Sequence, residues 1–131
     1  EGLTGIDGLT FRRIPDESGD SATFLTLFLP DESRARETIE ELRKAGVDGC
    51  FYWFDNNWHY IRQWDHLKTL RSAARLPLAL LEHPPDFQHI ELPQSDDIMK
   101  RVISMLIKLS WSKEEITRRI DRMRSILNKI I

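Results

Sequence analysis

Few side chains in this chain can do chemistry, and their spacing narrows what that chemistry is. Four histidines, His59, His66, His83 and His89, are separated by seven, seventeen and six residues. Ligands sharing one helix face recur at four-residue spacing, as in an H-E-x-x-H pair, so this pattern predicts no metal site. A reactive thiolate needs electropositive, partly exposed surroundings. The single cysteine, Cys50, lies in a run, residues 49–60, with no lysine or arginine. It reads as a buried thiol inside a strand, and a Cys50–His59 thiolate pair has no support in the pattern. The chain contains no G-x-G-x-x-G, no G-x-x-x-x-G-K-[ST], no H-E-x-x-H and no C-x-x-C. Phosphate loops, zinc proteases and dithiol redox sites of those kinds are therefore not indicated.

What remains is the run itself, Gly49-Cys50-Phe51-Tyr52-Trp53-Phe54-Asp55-Asn56-Asn57-Trp58-His59-Tyr60. It holds six of the chain's twelve aromatic residues. Aromatics at this density are core residues by ordinary burial preference. The run breaks at Asp55-Asn56-Asn57, whose side chains favour a turn by bonding nearby backbone. A strand that leaves the core and turns into a pocket wall fits both features. Residues 51–54 then serve the sheet, and residues 55–60 reach a ligand. His59, Asn57 and Tyr60, with Asn56 beside them, are the candidate ligand contacts.

Composition limits the partners. The chain has 131 residues, 40% hydrophobic and 31% charged, with a net charge of −2 from 19 bases and 21 acids. That suits one soluble globular domain with a real core. Arg62, Lys68 and Arg71 lie near the aromatics, but a negative chain without a basic face argues against nucleic acid. One cysteine rules out an internal disulfide framework and suits a reducing compartment. No apolar run is long enough to span a bilayer and no basic-then-apolar leader is present, so the expected location is the cytoplasm.

The elements that must position these residues follow from periodicity. Residues 9–14 alternate as a strand, and residues 15–20 form a turn. Residues 22–29 are the clearest strand: Leu25, Leu27 and Leu29 face one way, Phe24, Thr26 and Phe28 the other, as in a central strand. Ala35, Ile39, Leu42 and Ala45 define a helix over 31–45 that Gly46 closes. Residues 47–54 return as a strand. Ile61, Trp64, Leu67 and Leu70 predict a helix over 61–72, and 73–93 reads as a long connection. A short helix over 95–100, a strand over 102–109 and a helix over 112–130 complete the order. Ser112 and Glu115 form a capping box, Trp111 and Ile116 a hydrophobic staple, and Ile116, Ile120, Met123, Leu127 and Ile130 the buried stripe. The predicted class is α+β: a small, mostly antiparallel sheet covered by helices.

Arg101-Val102-Ile103-Ser104-Met105-Leu106-Ile107-Lys108-Leu109-Ser110-Trp111-Ser112-Lys113-Glu114-Glu115-Ile116 resembles the closing segment of the DegT/DnrJ/EryC1 family of pyridoxal-phosphate-dependent sugar aminotransferases. That segment has an arginine, a short apolar strand with a serine, and a Thr/Ser-x-Glu-Glu-Ile helix start. Gly19-Asp20, the strand 22–29, Leu29-Pro30-Asp31 and a helix ending in Ala45-Gly46-Val47 resemble the family's small-domain entry. Each motif is weakly specific, but their order and spacing cover most of the chain. Asn56-Asn57-Trp58-His59-Tyr60 and Trp64-Asp65-His66-Leu67 are most similar to the branch acting on octulosonate sugars. The sequence departs from the family's His-Tyr-Pro-x-Pro-x-His type segment: Tyr52-Trp53-Phe54 stands there without the prolines, and His59 meets the later histidine with a one-residue slide.

The resemblance implies that residues 1–131 are a C-terminal small domain. A large cofactor-binding domain would precede it, and the intact enzyme would be a homodimer. Pyridoxal phosphate would be its cofactor, and a keto or aldehydo sugar and an amino-acid donor its substrates. The Schiff-base lysine lies in the large domain of such enzymes. Lys44, Lys68, Lys100, Lys108, Lys113 and Lys129 have no matching context, so the segment alone is expected to be inactive. It would close the cleft over the sugar, with His59, Asn57, Tyr60 and Arg101 as substrate contacts. The guanidinium of Arg101 suits a carboxylate, although a structural ion pair is its commoner use. Two other readings stand: a non-enzymatic ferredoxin-like ligand-binding or regulatory domain, and a scaffold piece. The scaffold would show a large exposed apolar patch and no pocket near His59.

Overall fold

The computed structural model describes residues 1–74 and 76–131. Alternating apolar residues produce a four-stranded antiparallel sheet: β1 (Thr10–Phe11), β2 (Phe24–Phe28), β3 (Cys50–Tyr52) and β4 (Val102–Leu106), in the order β1-β2-β4-β3. Helix α1 (Glu32–Lys44) joins β2 to β3, and α4 (Lys113–Ile130) follows β4. The chain is α+β, and β2 is a central strand. Both β2 and β3 run antiparallel to β4, which lies between them. They are therefore parallel to each other, a split β-α-β unit through α1. Followed by β4 and α4, this is a ferredoxin-like order whose outer strand comes from the start of the chain.

Register assigns the two faces, because directly opposed residues of antiparallel strands project to the same side. Leu25, Met105 and Cys50 form one row, and Leu27, Ile103 and Tyr52 the next. This face packs on Ala35, Ile39 and Leu42 of α1 and on Met123 and Leu127 of α4. The lead-in adds Leu3, Ile6 and Leu9 to the same core, although its three glycines predict no packed element. The opposite face carries Phe24 beside Leu106, Thr26 beside Ser104 and Phe51, and Phe28 beside Val102.

Local chemistry sets the helix ends. The Asp31 side chain accepts from the backbone N–H of Arg34, capping α1. Gly46 follows α1 at φ +70, the left-handed conformation that glycine adopts without strain. Ser112 Oγ accepts from the Glu115 N–H at 3.2 Å, the expected half of the capping box. The return bond is absent, because Glu115 turns to Arg119 and Arg118 instead. Arg119 itself replaces part of the predicted stripe. It is buried, its guanidinium 4.1 Å from the Trp111 ring and bonded to Glu115 and Asp48, and the Arg119 bond holds the Asp48 carboxyl below its usual range. Met123 and Leu127 are buried as predicted, while Ile116 is 43% exposed.

Several boundaries contract. The strand predicted over 9–14 is only Thr10–Phe11, since Arg12 turns to pair with Asp20. The strand predicted over 47–54 is Cys50–Tyr52, and Trp53–Asp55 winds into a 3-10 turn. The strand over 102–109 ends at Leu106, leaving Leu109 fully exposed. The helix predicted over 61–72 is a 3-10 turn, Ile61–Gln63, and a single turn α2 (Asp65–Lys68). Its apolar face finds only partial burial, which is too little to hold a longer helix. Residues 73–93 contain a 3-10 turn, Pro77–Leu80, and α3 (Pro93–Met99) begins two residues before the predicted helix. Arg75 lies outside the described residues.

Candidate ligand platform on the open sheet face

The aromatic run divides between the two faces as the pleat requires. Tyr52 and Phe54 point toward α1. Tyr52 is buried, burial pushes its phenol up to about 12, and its hydroxyl donates to the Lys100 carbonyl at 2.8 Å. Phe51 and Trp53 point to the other face. Their rings stack with centroids 5.5 Å apart, and the Trp53 ring lies 6.5 Å from that of Phe24 on β2. The indole thus spans two strands separated by β4, where Ser104 is buried and its hydroxyl lies 3.2 Å from that of Thr26.

The turn after Trp53 folds back onto this layer. Asn56 Oδ1 accepts from the Trp58 N–H at 2.7 Å, the Asx turn expected there. Trp58 comes within 6.2 Å of Phe51, and His59 lies 5.1 Å from Trp53. A chain of rings results: Phe24, Trp53, Phe51 and Trp58, with His59 at its margin. Trp58 is 65% exposed, and His59 and Asn57 are exposed. Among the described residues neither the His59 ring nor the Asn57 amide has a hydrogen-bond partner, so both can bond a ligand. Such a layer offers ring faces to the C–H faces or π-systems of a ligand and polar atoms at one edge.

Arg36 of α1 holds the turn in place. It donates to both carboxylate oxygens of Asp55, at 2.6 and 3.1 Å, and to Glu32 at 2.8 Å, which raises its pKa further. Its guanidinium also lies 5.0 Å from the Tyr52 ring. In the helical period Arg36 falls outside the Ala35, Ile39 and Leu42 stripe, on the face expected to meet only solvent. The i,i+4 spacing to Glu32 is legible in the sequence, but nothing there marks the partner nineteen residues away. Gln63 adds a second tie, donating to the Phe54 carbonyl at 2.7 Å.

The four predicted contact residues are not brought together. His59 and Asn57 flank the ring layer. Tyr60 is buried, 5.5 Å from the Phe54 ring, and its hydroxyl has no hydrogen-bond partner among the described residues. Arg101 is spent on structure, donating to the Asp97 side chain and carbonyl and to the Leu29 carbonyl at 3.1–3.4 Å. Phe51 and Trp53, expected to serve only the sheet, instead form the centre of the platform with Phe24. The period-two pattern puts Phe51 and Trp53 on one side, but only the register shows that this is the side opposite the α1 and α4 core.

The feature near His59 is an open layer and not a pocket wall. A 260 Å³ cavity between α1 and the edge strand β3 is lined by Arg36, Glu40, Arg43, Cys50 and Asn56 among others, and not by His59. Cys50 is partly buried there, and burial pushes its thiol up to about 11, the opposite of an activated nucleophile. A 440 Å³ apolar cavity between the β1–β2 edge and α4 shares Phe24 and Thr26 with the ring face but includes none of the four predicted contacts. Among the described residues no group of three His, Cys, Asp or Glu could hold a metal ion, and no helix is long and apolar enough to cross a membrane. No protein-family model matches the chain.

Proposed function

We propose that this chain is the small domain of a pyridoxal-phosphate-dependent aminotransferase acting on a keto or aldehydo sugar, with an octulosonate sugar as the favoured class. In the intact cytoplasmic homodimer it closes the cleft and supplies sugar-side contacts. The observation that carries this reading is the platform: stacked rings edged by the unpaired polar atoms of His59 and Asn57, with no opposing wall. It is half of a site, and a second domain would supply the other half. The sequence resemblance supports the same conclusion.

The cofactor does not fit this chain's own residues. Lys44, Lys68, Lys100 and Lys108 are engaged with Glu41, Asp65, Asp97 and Asp48 on the surface. Lys113 and Lys129 lie exposed on α4. None has the enclosed setting that activates a nucleophilic amine. The cofactor and its lysine belong to the large domain in this proposal, and the amino-acid donor would be bound there too.

On this domain, sugar C–H groups pack on Trp53 and Trp58 while hydroxyls bond His59 and Asn57. The burial of Tyr60 and the engagement of Arg101 give those two residues supporting roles: Tyr60 props Phe54, and Arg101 ties the end of α3 to β2. The alternative, a ligand-binding or regulatory module without catalysis, draws support from the ferredoxin-like strand order. Folds of that kind host many functions, so the order by itself does not choose. A scaffold piece would also lack a pocket near His59 and show an exposed apolar patch, such as the one that Phe11, Ile14, Ile107 and Ile116 form, but exposed polar atoms set into the ring layer favour a ligand.

The test is His59→Ala in the intact enzyme. Loss of one hydrogen bond to the sugar, worth about 0.5–1.5 kcal/mol, should slow the sugar half-reaction by roughly two- to tenfold. The amino-donor half-reaction should be unchanged. Equal losses in both halves would remove His59 from the sugar side.

A further inference from the structure

The two edges of the sheet differ. β1 is a two-residue strand followed at once by Arg12 and Arg13, and charges of that kind blunt an edge. β3 forms the other edge, and residues 49–54 carry no charge and no proline. Its ladder to β4 fixes where its backbone groups point. The Gly49 carbonyl accepts from the Leu106 N–H at 2.9 Å, so Gly49 and, two residues on, Phe51 face β4. The N–H and C=O groups of Cys50 and Tyr52 point away from the sheet, and none has a hydrogen-bond partner among the described residues. Beside them lies the 260 Å³ cavity between β3 and α1. Open groups of this kind are a template for another strand.

We propose that this edge pairs with the same edge of a second copy of the chain, antiparallel about a two-fold axis at Phe51. Charge selects the occupant. Arg36, Glu40 and Arg43 of α1 line the cavity at i, i+4 and i+7. Arg36 lies at the Tyr52 end, where Glu32, Arg36 and Asp55 together carry one negative charge. At the Cys50 end, Arg43 is exposed, near enough for its charge to act on the thiol, and in no ion pair among the described residues. A two-fold axis reverses this order in the second copy, so each Arg43 faces Asp55 and Glu40 of the other. The patch is thus complementary to itself, as an isologous interface must be. Cys50 of one copy exchanges both backbone bonds with Tyr52 of the other, the register that uses every open group. Phe51 meets its counterpart as a non-hydrogen-bonded pair, with Cα atoms about 4.5 Å apart. The two ring layers join edge to edge, and their common face stays open. The pairing is independent of the aminotransferase reading, since it uses the edge of the layer and not what the layer binds.

Amide exchange, sedimentation and cross-linking test it on the 131-residue chain. In dilute solution the Cys50 and Tyr52 amides should exchange freely, while that of Phe51, paired with Ser104, is protected. Raising the concentration should slow Cys50 and Tyr52 by about tenfold or more. The sedimenting mass should rise in parallel from 15.4 kDa toward double. Arg43→Glu should weaken the association about tenfold, and Arg43→Lys should leave it nearly intact. With Cys50→Ala to remove the native thiol, Phe51→Cys should give a disulfide-linked dimer in oxidised glutathione, because the spacing across the axis suits that bond. Ile116→Cys, in the exposed apolar patch, should cross-link no faster than Leu109→Cys. A chain that stays monomeric overturns the proposal, as does one that dimerises while the Cys50 and Tyr52 amides still exchange freely. Faster cross-linking at position 116 than at 51 also overturns it, and puts the second copy on the apolar patch. Slowing of the two amides by an extended Thr-Val repeat peptide, with none on raising the concentration, overturns it in favour of a foreign strand.

Discussion

Cys50 shows how little residue type decides without surroundings. Its row on the sheet is Leu25, Met105 and Cys50, facing the helices, and burial raises the thiol from 9.0 to about 11. At pH 8 the thiolate fraction is then about a hundredfold smaller than for an unshifted thiol. Iodoacetamide should modify the native chain far more slowly than the chain in denaturant. A native rate equal to the denatured one would mean that Cys50 is not buried against the core. The same shift has a consequence for stability. The unfolded thiol loses its proton near pH 9 and the folded one near 11, so stability is full below pH 9 and falls as pH rises from 9 to 11. Cys50→Ala should remove the Cys50 part of that slope in denaturation midpoints measured across the range.

Caps and turns determine where the elements stop. The Ser112 hydroxyl bonds the Glu115 N–H without the reciprocal bond from Glu115, and the Glu114 carboxylate accepts from the Ser112 side chain and its own N–H, which holds that carboxyl below its usual range. Ser112→Ala should cost about 1 kcal/mol in urea denaturation, within the usual range for an N-cap. Glu115→Gln should cost more than a cap contact would, because Glu115 neutralises the buried Arg119. Gly46 offers a separate test. At φ +70 any side chain is strained, while the space around its Cβ position is ordinary, so Gly46→Ala should lose roughly 1 kcal/mol through backbone strain alone. No change in midpoint would show that α1 can end in another conformation.

At the scale of the molecule, one face of the sheet packs against α1 and α4 and the other carries the ring layer. Leu127 is fully buried between α4 and the sheet, and Leu127→Ala should destabilise by about 2–5 kcal/mol. Leu109 is fully exposed, and Leu109→Ala should change stability by less than about 0.5 kcal/mol. Thermal or chemical unfolding of the two variants checks the contrast; similar losses would place Leu109 in a contact absent from this fold. Trp53 belongs to the other face. Its indole layer depends on Arg36 holding Asp55, a contact between α1 and the turn after β3.

Much of the fold is legible in the residues alone. Alternation in Phe24-Leu25-Thr26-Leu27-Phe28, the helical stripe of Ala35, Ile39 and Leu42, and the Ser112 cap are local patterns whose periods match the elements formed. The Asx turn at Asn56 is local in the same sense. The contacts that build the platform are not. Phe24 meets Trp53 only because β4, from far along the chain, pairs between β2 and β3. Arg101 and Tyr60 have the right chemistry for a ligand, yet tertiary packing spends one on Asp97 and Leu29 and buries the other. Periodicity identifies which residues share a side of an element. Whether that side meets a helix, a second domain or water depends on strand order and long-range pairing, which no local spacing encodes.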